Sequence, residues 1–394
     1  MVKRFWSMIP AGWGRGVNAE RILGEPSTLN QTRDHKHLPL AETMMRSQRE
    51  SGTSLFTQAR EIMALRRGQG KLNAEEYLGN RLFDPDISMD DKRRFLGIQA
   101  EVIVDRLCNP SFKGRAAVRD KIIFAAMMSA LGFPVPKPLG FVHSTQTSFL
   151  ARDLRDRDAL LAFLRGLDGP AFGKPVDSRW SLGTASLDGY RSHTDSVVLL
   201  GGEEVGAETF ADQVMGFAEK GYLFQERLEP HPEVARLAGR AIGTVRLLTG
   251  NLDGKSELLD CAWKIVAGGN VADNFWRDGN MLAAIDPETG TVARVASGLA
   301  HESRTHESHP DTGETLTGFT LPFWSQAVAL VLRAATMLPD LRLIGWDIAI
   351  TTDGPMIVEA NTLPAFNLHQ IASGQGIMKG RFEAFVTACK RSPT

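Results

Sequence analysis

Two acids and an asparagine interrupt strand-like apolar runs near the end of the chain. Asp347 lies in the run Gly345-Trp-Asp-Ile-Ala-Ile, and Glu359 and Asn361 lie in Met-Ile-Val-Glu-Ala-Asn beyond a Thr-Thr-Asp-Gly-Pro turn. This pattern predicts a β-hairpin in which a turn of odd length sets Asp347 opposite Glu359. Opposed carboxylates about 5 Å apart repel unless a cation lies between them. The sequence therefore predicts a magnesium site with Asp347, Glu359 and Asn361 as its oxygen ligands.

The alternative is an exposed hairpin with scattered polar residues. Glu359 and Asn361 stand in an otherwise apolar run, however, and a buried acid without a partner is costly. The metal site is therefore the favoured interpretation.

The hairpin also carries a family resemblance. Gly-Trp-Asp followed by Glu-Ala-Asn-Thr resembles the metal-binding end of the ATP-grasp superfamily, and is most similar to the sugar-transfer associated, alpha-L-glutamate ligase-like group. Further similar segments are Gly243–Thr249, Asp273–Phe275 and His309–Gly313. The resemblance covers roughly Lys121 to Gln370. It implies an α+β ATP-grasp fold, with two α+β lobes that clasp ATP, and leaves a helical N-terminal region unexplained.

The resemblance implies a nucleotide site upstream of the hairpin. It places Lys121 and Lys174 on the α and β phosphates, although Lys121 is equally well explained as an ordinary helix lysine. Ser181 lies in the segment that corresponds to the loop closing over the phosphates. This segment contains only Gly183 where relatives often have several glycines, so hydroxyl groups have to supply more of the donors.

The segment Tyr222–Leu228 resembles the hinge strand that binds adenine. Glu226 would accept from the adenine amino group, and the backbone of the next two residues would complete recognition. Glu233 is placed to bind the ribose hydroxyls; alternatively Glu226 is a surface acid, and Glu229 or His231 takes the ribose role. The predicted nucleotide-binding set is Lys121, Lys174, Ser181, Gln225, Glu226, Arg227, Leu228 and Glu233.

Arg246 is the residue predicted to act in chemistry. It stands among apolar strand residues, and its rigid fork suits the γ-phosphate and the oxyanion that develops in acyl-phosphate breakdown. The competing interpretation is a structural salt bridge to Glu226 or Asp347. Lys264 could assist from a neighbouring strand. The residues predicted to shape the acceptor side are Asp273, Asn274 and His309.

These residues need a scaffold of helices and strands. Residues 1–112 have few β-branched runs and show helical spacing, notably Asp90–Leu107, and a second helix is expected at roughly Ala116–Leu131. Later segments mix strands and helices, which predicts an α+β class with antiparallel strands. Strands are predicted at Thr147–Leu150, Tyr222–Gln225, Gly243–Leu248, Gly345–Ile350 and Met356–Glu359, and helices at Asp156–Arg165, Glu208–Lys220 and Pro322–Leu338. The predicted domains are 1–112, 113–230 with the phosphate loop and hinge, and 231–394 with Arg246 and the hairpin.

The bulk composition limits the partners. The 394 residues contain 45 Lys plus Arg and 46 Asp plus Glu, so the net charge gives no sign of a nucleic-acid partner. No apolar stretch has the length of a membrane span. The three cysteines lack metal-ligand spacing and are expected to be buried thiols of a cytoplasmic protein. The oligomeric state is not predicted.

The leading hypothesis is an ATP- and Mg²⁺-dependent carboxylate–amine ligase that joins two small molecules, with Mn²⁺ as a substitute metal. One alternative is an ATP-dependent phosphotransferase acting on a hydroxyl, such as that of a sugar. Another is a non-catalytic nucleotide-binding module. Gly173-Lys174 is not a P-loop, because Pro175 stands where that motif requires Ser or Thr.

Overall fold

The computed structural model describes residue 29 and residues 39–148, 150–176 and 182–392. These residues form two compact units. Unit 1 contains residue 29, Asp120–Ala130 and Val135–Leu228, and unit 2 contains 39–119, Leu131–Pro134 and 229–392. The helical N-terminal region therefore shares a unit with the C-terminal part of the chain. The predicted domain boundaries at residues 112 and 230 were placed where the sequence pattern changes, and they stay a prediction.

The described part of the N-terminal region is helical, as predicted. Its helices are α1 (Leu40–Ser51), α2 (Leu55–Arg67), α3 (Ala74–Gly79), α4 (Met89–Lys92), α5 (Ile98–Cys108) and α6 (Phe112–Arg119). The single helix predicted at Asp90–Leu107 is divided between α4 and α5. The Glu76 carboxylate accepts from the Ile98 amide at 2.7 Å and occupies the space that a Cβ on Gly97 would need. A glycine at this position therefore allows α5 to begin against α3.

Unit 1 is an α+β structure around one seven-stranded sheet. Its elements are α7 (Lys121–Ala130), β1 (Pro138–Val142), β2 (Arg152–Leu154), α8 (Arg157–Arg165), β3 (Ala171–Pro175), β4 (Ala185–Arg191), β5 (Ser196–Leu199), β6 (Glu204–Gly206), α9 (Ala207–Met215) and β7 (Tyr222–Glu226). The strand order is β2-β1-β7-β3-β4-β5-β6. The β1–β2 pair is parallel and the other pairs are antiparallel. A core of leucine, valine and aromatic side chains packs helices α8 and α9 against this sheet.

Unit 2 contains a second seven-stranded sheet, which is antiparallel throughout. Its elements after the N-terminal helices are α10 (Pro232–Ala238), β8 (Thr244–Leu252), β9 (Lys255–Ile265), β10 (Met281–Ile285), β11 (Val292–Ser297), β12 (Arg304–His306), α11 (Trp324–Thr336), β13 (Leu343–Thr351), β14 (Gly354–Asn361), α12 (Phe366–Ser373) and α13 (Gly380–Arg391). The strand order is β12-β11-β10-β9-β8-β13-β14. Long strands β8, β9 and β13 lie at its centre, and the hairpin is at one edge.

Some predicted elements differ from the structure. The strand predicted at Thr147–Leu150 is not formed by the described residues there, and the nearby strand is β2. The helix predicted to run to Lys220 ends at Met215. The helix predicted at roughly Ala116–Leu131 is two helices, because the Asp120 side chain accepts from the amides of Ile122 and Ile123 and so caps a new helix at Lys121.

The three cysteines are buried free thiols, as predicted. Cys108 and Cys389 belong to one core cluster of unit 2. Separately, within the described ranges no helix has the length and apolarity to cross a membrane.

Candidate functional site

Strands β13 and β14 form the predicted hairpin and place its two acids side by side. Asp347 pairs directly with Glu359. The turn between the strands has two residues, because Thr351 pairs with Gly354, so the prediction of an odd-length turn was wrong. A two-residue turn alone would set Asp347 opposite Val358. A β-bulge at Val358 shifts the register by one residue and restores the pairing of the two acids.

Asp347 is held by two cations from neighbouring strands. Arg246 on β8 donates to it through one edge of its guanidinium, Nε to Oδ1 at 2.5 Å and Nη2 to Oδ2 at 2.9 Å. Lys264 Nζ on β9 donates to Oδ2 at 3.2 Å. The structural salt bridge weighed for Arg246 therefore exists, with Asp347 as its partner. Arg246 Nη1 also donates to the Pro364 carbonyl at 2.7 Å.

Burial makes these charges depend on one another. Burial by itself would raise the pKa of Asp347, but Arg246 and Lys264 outweigh it and hold the pKa of that carboxyl well below its usual range. Burial would likewise lower the pKa of Lys264, but Asp273 and Asp347 outweigh it and raise that pKa. Asp347, Lys264 and Arg246 are therefore charged at neutral pH.

Asp273 supports Lys264 from the loop after β9. Its Oδ2 lies 3.1 Å from Lys264 Nζ and accepts from both the backbone amide and the hydroxyl of Thr244, at 2.9 and 2.5 Å. Asp273 thus connects the end of β9 to the start of β8. This fixes the lysine, so Asp273 helps to build the charged cluster, a role that the sequence did not predict for it.

The donor set suits a hard cation. Glu359 lies within hydrogen-bonding reach of Asp347, and the side-chain amide of Asn361 donates to Glu359 Oε1 at 3.2 Å. Oxygen atoms that can bind a metal are therefore close together at the hairpin. Two cations face three carboxylates, which leaves excess negative charge at Glu359. The described residues include no group of three or more His, Cys, Asp and Glu arranged to enclose a metal. The carboxylate and amide oxygens of the hairpin are nonetheless ligands of the kind that magnesium takes, since it needs only one or two protein carboxylates beside phosphate.

One residue of this cluster was missed in the sequence. Glu101 on α5 is 3% exposed, and its Oε1 accepts from the Ala365 amide at 2.6 Å. Burial raises its pKa to about 7, and Arg246 is close enough to oppose that shift. The helical region thus contributes an acid to the surroundings of Arg246. One local feature points to such an acid. Ala365, at the start of α12, has no side chain that caps the helix, so its first amides need an acceptor from elsewhere.

In unit 1, the two predicted phosphate-binding lysines lie near the same strand end. Lys174 is in β3 and largely buried. Lys121, at the start of α7, donates to the carbonyls of Pro175 and Val176 at 3.3 and 3.2 Å. Lys121 therefore fixes the backbone where the predicted phosphate loop begins. Ser181, predicted in that loop, lies outside the described residues.

The hinge segment emerges from the centre of the unit 1 sheet. Strand β7 lies between β1 and β3, and Gln225 is buried within it. Glu226 Oε1 accepts from the Lys137 amide at 2.8 Å, which leaves its other oxygen for the predicted adenine contact. The Arg227 side chain donates to Asp188 at 2.5 Å. Leu228 is the last residue of unit 1.

Three further predicted residues do not join the charged cluster. Glu233 is exposed at the start of α10. The Asn274 side chain accepts from the Trp276 amide at 3.2 Å within its own loop. His309 is buried, with Nδ1 accepting from the Asp311 amide and Nε2 bonded to the Val266 carbonyl. These contacts favour a role for His309 in holding two loops together.

Comparisons with known proteins identify the family of the chain. The family model described as sugar-transfer associated ATP-grasp matches residues 106–385. No curated protein matches the chain. This family match confirms the ATP-grasp fold expected from the sequence resemblance.

Solved structures match at low identity. D-alanyl-alanine synthetase A from Vibrio cholerae has a TM-score of 0.41 and 14% identity, over 70% of this chain and 65% of that one. An L-amino acid ligase from Bacillus licheniformis has a TM-score of 0.39 and 12% identity, over 72% and 53%. The biotin carboxylase–beta-gamma-ATP complex from Campylobacter jejuni has a TM-score of 0.42 and 9% identity, over 71% and 48%. The chain spans less than two thirds of each of these three structures. Because the family model covers well over half of the chain, the protein belongs to the sugar-transfer associated ATP-grasp family.

Proposed function

We propose that the chain is an ATP- and Mg²⁺-dependent ligase that joins a small-molecule carboxylate to an amine through an acyl phosphate. The carrying observation is the buried cluster in which Asp347 pairs with Glu359 while Arg246 and Lys264 hold Asp347. Such a cluster is costly to bury and is typical of sites that stabilise moving negative charge.

Arg246 is suited to hold a phosphoryl group while it is transferred. Its contacts with Asp347 and Pro364 use three of its five N–H donors, and no other partner for it occurs among the described residues. We assign the remaining donors to the γ-phosphate. Lys264, fixed between Asp273 and Asp347, adds a second positive charge on the same side.

The hairpin would hold the metal. Glu359 and Asn361 provide ligands at the more exposed end of the cluster, and Asp347, already bonded to two cations, provides a third. Mg²⁺ held there would neutralise the charge of the phosphate oxygens. The residues themselves orient the ligand oxygens, and Arg246 and Lys264 hold the pKa of Asp347 well below its usual range.

The remaining nucleotide contacts are assigned from the family resemblance. Lys121 and Lys174 are assigned to the α and β phosphates, and the residues from Gln225 to Leu228 to the adenine. Glu233 is assigned to the ribose. Asn274 and its loop are assigned to binding of the acceptor substrate. Asp273 anchors this loop beside Lys264.

The test is a product analysis. The protein is incubated with ATP, Mg²⁺ and a panel of carboxylates and amines, and ADP, phosphate and new amides are measured by coupled assay and mass spectrometry. Equal amounts of ADP and amide are expected for a correct pair. A phosphorylated hydroxyl product would establish the phosphotransferase instead, and absence of ADP with every pair would contradict both. Glu359→Gln is the control, because it removes a metal ligand at a half-buried position and should abolish turnover.

A further inference from the structure

A buried acid of the N-terminal helical region reaches the backbone next to the candidate site. Glu101 lies on α5, 264 positions before its hydrogen-bond partner Ala365. The amide of Phe366 also donates to it. One carboxylate therefore receives two consecutive backbone amides at the start of α12.

The turn before α12 depends on this outside support. Ala365 has φ of 60°, a left-handed conformation that is unfavourable for alanine. It offers no side-chain oxygen to the first amides of the helix. A helix start normally needs such an acceptor. Glu101 supplies it from another helix and so stabilises an otherwise strained turn.

The same turn fixes Arg246. The carbonyl of Pro364, which is joined to Ala365 by one peptide bond, accepts from Arg246 Nη1 at 2.7 Å. The opposite side is closed by Gly345, where a Cβ would come within 3 Å of both Pro364 and Arg246 Cδ. The guanidinium thus has little room to move, and any shift of the Pro364–Ala365 turn is passed to it.

We propose that Glu101 is a positioning residue: it holds the Pro364–Ala365 turn so that the Pro364 carbonyl keeps Arg246 aligned for the γ-phosphate. The proposal rests on the nucleotide role assigned to Arg246 above. It gives the helical region, which the family resemblance in the sequence does not explain, a part in the function of the site.

The charge state of Glu101 gives this role a signature. Burial raises its pKa to about 7; the two amides and Arg246 on β8 act against that rise, and Asp105 on its own helix adds to it. The ionised carboxylate accepts from both amides. Protonation places a hydroxyl hydrogen on one oxygen, which weakens the second contact. The turn is therefore held best above pH 7.

The experiment compares the full-length wild type with Glu101→Gln, which is nearly isosteric but stays neutral. Binding of ADP and of the non-hydrolysable analogue AMP-PNP is measured with Mg²⁺ by calorimetry, because only AMP-PNP has a γ-phosphate. We expect the preference of the variant for AMP-PNP over ADP to be about tenfold lower than that of the wild type. Its kcat should also be about tenfold lower, with little change in KM for ATP. The wild-type kcat should rise with pH through a step near 7, and the variant should lack this step.

Gln370→Leu is the matched control. Gln370 on α12 is fully buried and its amide bonds the Leu96 backbone in both directions, so it also connects α12 to the helical region. Its described side-chain hydrogen bonds are with Leu96 and Ile377 and not with the Pro364–Ala365 turn. This variant should unfold at a lower temperature but keep the AMP-PNP preference and the pH step. Glu101→Asp, which keeps the charge on a shorter side chain, should keep the pH step but with a lower kcat. It replaces Glu101→Gln in the experiment if the glutamine variant does not fold.

The outcomes separate the two proposals. If the wild type does not distinguish AMP-PNP from ADP, the role of Arg246 fails and that of Glu101 falls with it. If the wild type does distinguish them and Glu101→Gln matches it in preference and in pH profile, only the positioning role is overturned. If Gln370→Leu loses the preference as well, general loosening of α12 explains the effect and the proposal is again overturned.

Discussion

Two of the arginine–aspartate pairs among the described residues have the same two-pronged geometry and different surroundings. On unit 1, Arg165 donates to Asp195 through Nε and Nη2 at 2.9 and 2.7 Å, and both side chains are 43% exposed. In unit 2, Arg246 donates to Asp347 through the same two atoms at 2.5 and 2.9 Å, and the side chains are 7% and 4% exposed. Geometry alone does not tell the two pairs apart.

Their surroundings decide what each pair does. The exposed pair has one further contact, from the Tyr190 hydroxyl to Asp195, and water can replace any of its bonds. The buried pair adjoins Lys264 and Glu359, and no water can compensate a lost partner. A buried pair of this kind contributes little net stability while intact, but is costly to break. It is therefore the pair whose presence calls for a functional reason.

The largest effect is expected from Asp347→Asn. It leaves Arg246 and Lys264 buried without their shared carboxylate, which should cost about 3–5 kcal/mol of unfolding free energy. It also removes a metal ligand, so ADP formation should be abolished. Urea unfolding and the ADP assay measure the two effects.

Glu359→Gln tests whether burial determines how much stability is lost when an acid of the cluster is replaced. Glu359 is only half-buried and its described side-chain bond is to Asn361, so its loss should cost less than about 1 kcal/mol while also abolishing turnover. Equal destabilisation by both variants would show that burial does not distinguish the two acids, and the comparison would fail.

The next effect concerns pH. The pKa of Glu101 in the folded protein is about 7, above the usual value near 4.3, so its contribution to stability is fully present below pH 4 and is lost as pH rises through 7. Glu101→Gln cannot ionise and does not suffer this loss. Between pH 4 and pH 8 the wild type should therefore lose on the order of 3 kcal/mol relative to the variant.

Thermal unfolding at both pH values measures the difference. The variant should be the more stable protein at pH 8 although it is the slower enzyme. If it is less stable than the wild type at pH 8 by the same margin as at pH 4, Glu101 has an ordinary pKa and the pH step proposed above loses its basis.

How much of this site the sequence predicts depends on how far apart the partners lie. The pairing of Asp347 with Glu359 was predicted, although it arises from a two-residue turn and a bulge and not from the odd-length turn that was expected. The bulge at Val358 was not, because no local residue preference demands it. Glu101 was missed because it is one charged position on a helix assigned from its apolar spacing, and its partner is the backbone of Ala365.

Contacts between distant segments explain other differences. The α+β class and the helical character of the described N-terminal residues, 39–119, follow from periodicity and are confirmed. Lys121 was assigned to phosphate by resemblance, but its bonds to the carbonyls of Pro175 and Val176 depend on how α7 meets β3. Sequence patterns predict which elements form more readily than which side chains meet.

A smaller effect is expected from Lys264→Met. It removes one partner from both Asp273 and Asp347, but Thr244 and Arg246 remain bonded to them, so the loss of stability should be about 1–2 kcal/mol. The lost charge beside the transferring phosphoryl group should lower kcat about a hundredfold. Thr244→Val is the control, because it removes one bond to Asp273 and leaves the lysine in place. A hundredfold loss in that control would assign the effect to Asp273 rather than to Lys264.

The smallest effect is expected from Arg165→Ala, which breaks the exposed counterpart of the Arg246–Asp347 pair. Asp195 has a pKa lowered to about 2 by Arg165 and Tyr190, but both partners of the pair are open to water, which takes over their hydrogen bonds when one is removed. The unfolding midpoint at neutral pH should stay within experimental error of the wild type, and turnover should be unchanged. Adding 1 M salt to the wild type weakens this ion pair further, but the unfolding midpoint should change little as a result, since water and ions already screen exposed charges. A loss of stability comparable to that of Asp347→Asn would mean that the two-pronged geometry itself, rather than burial, determines the cost of breaking an arginine–aspartate pair.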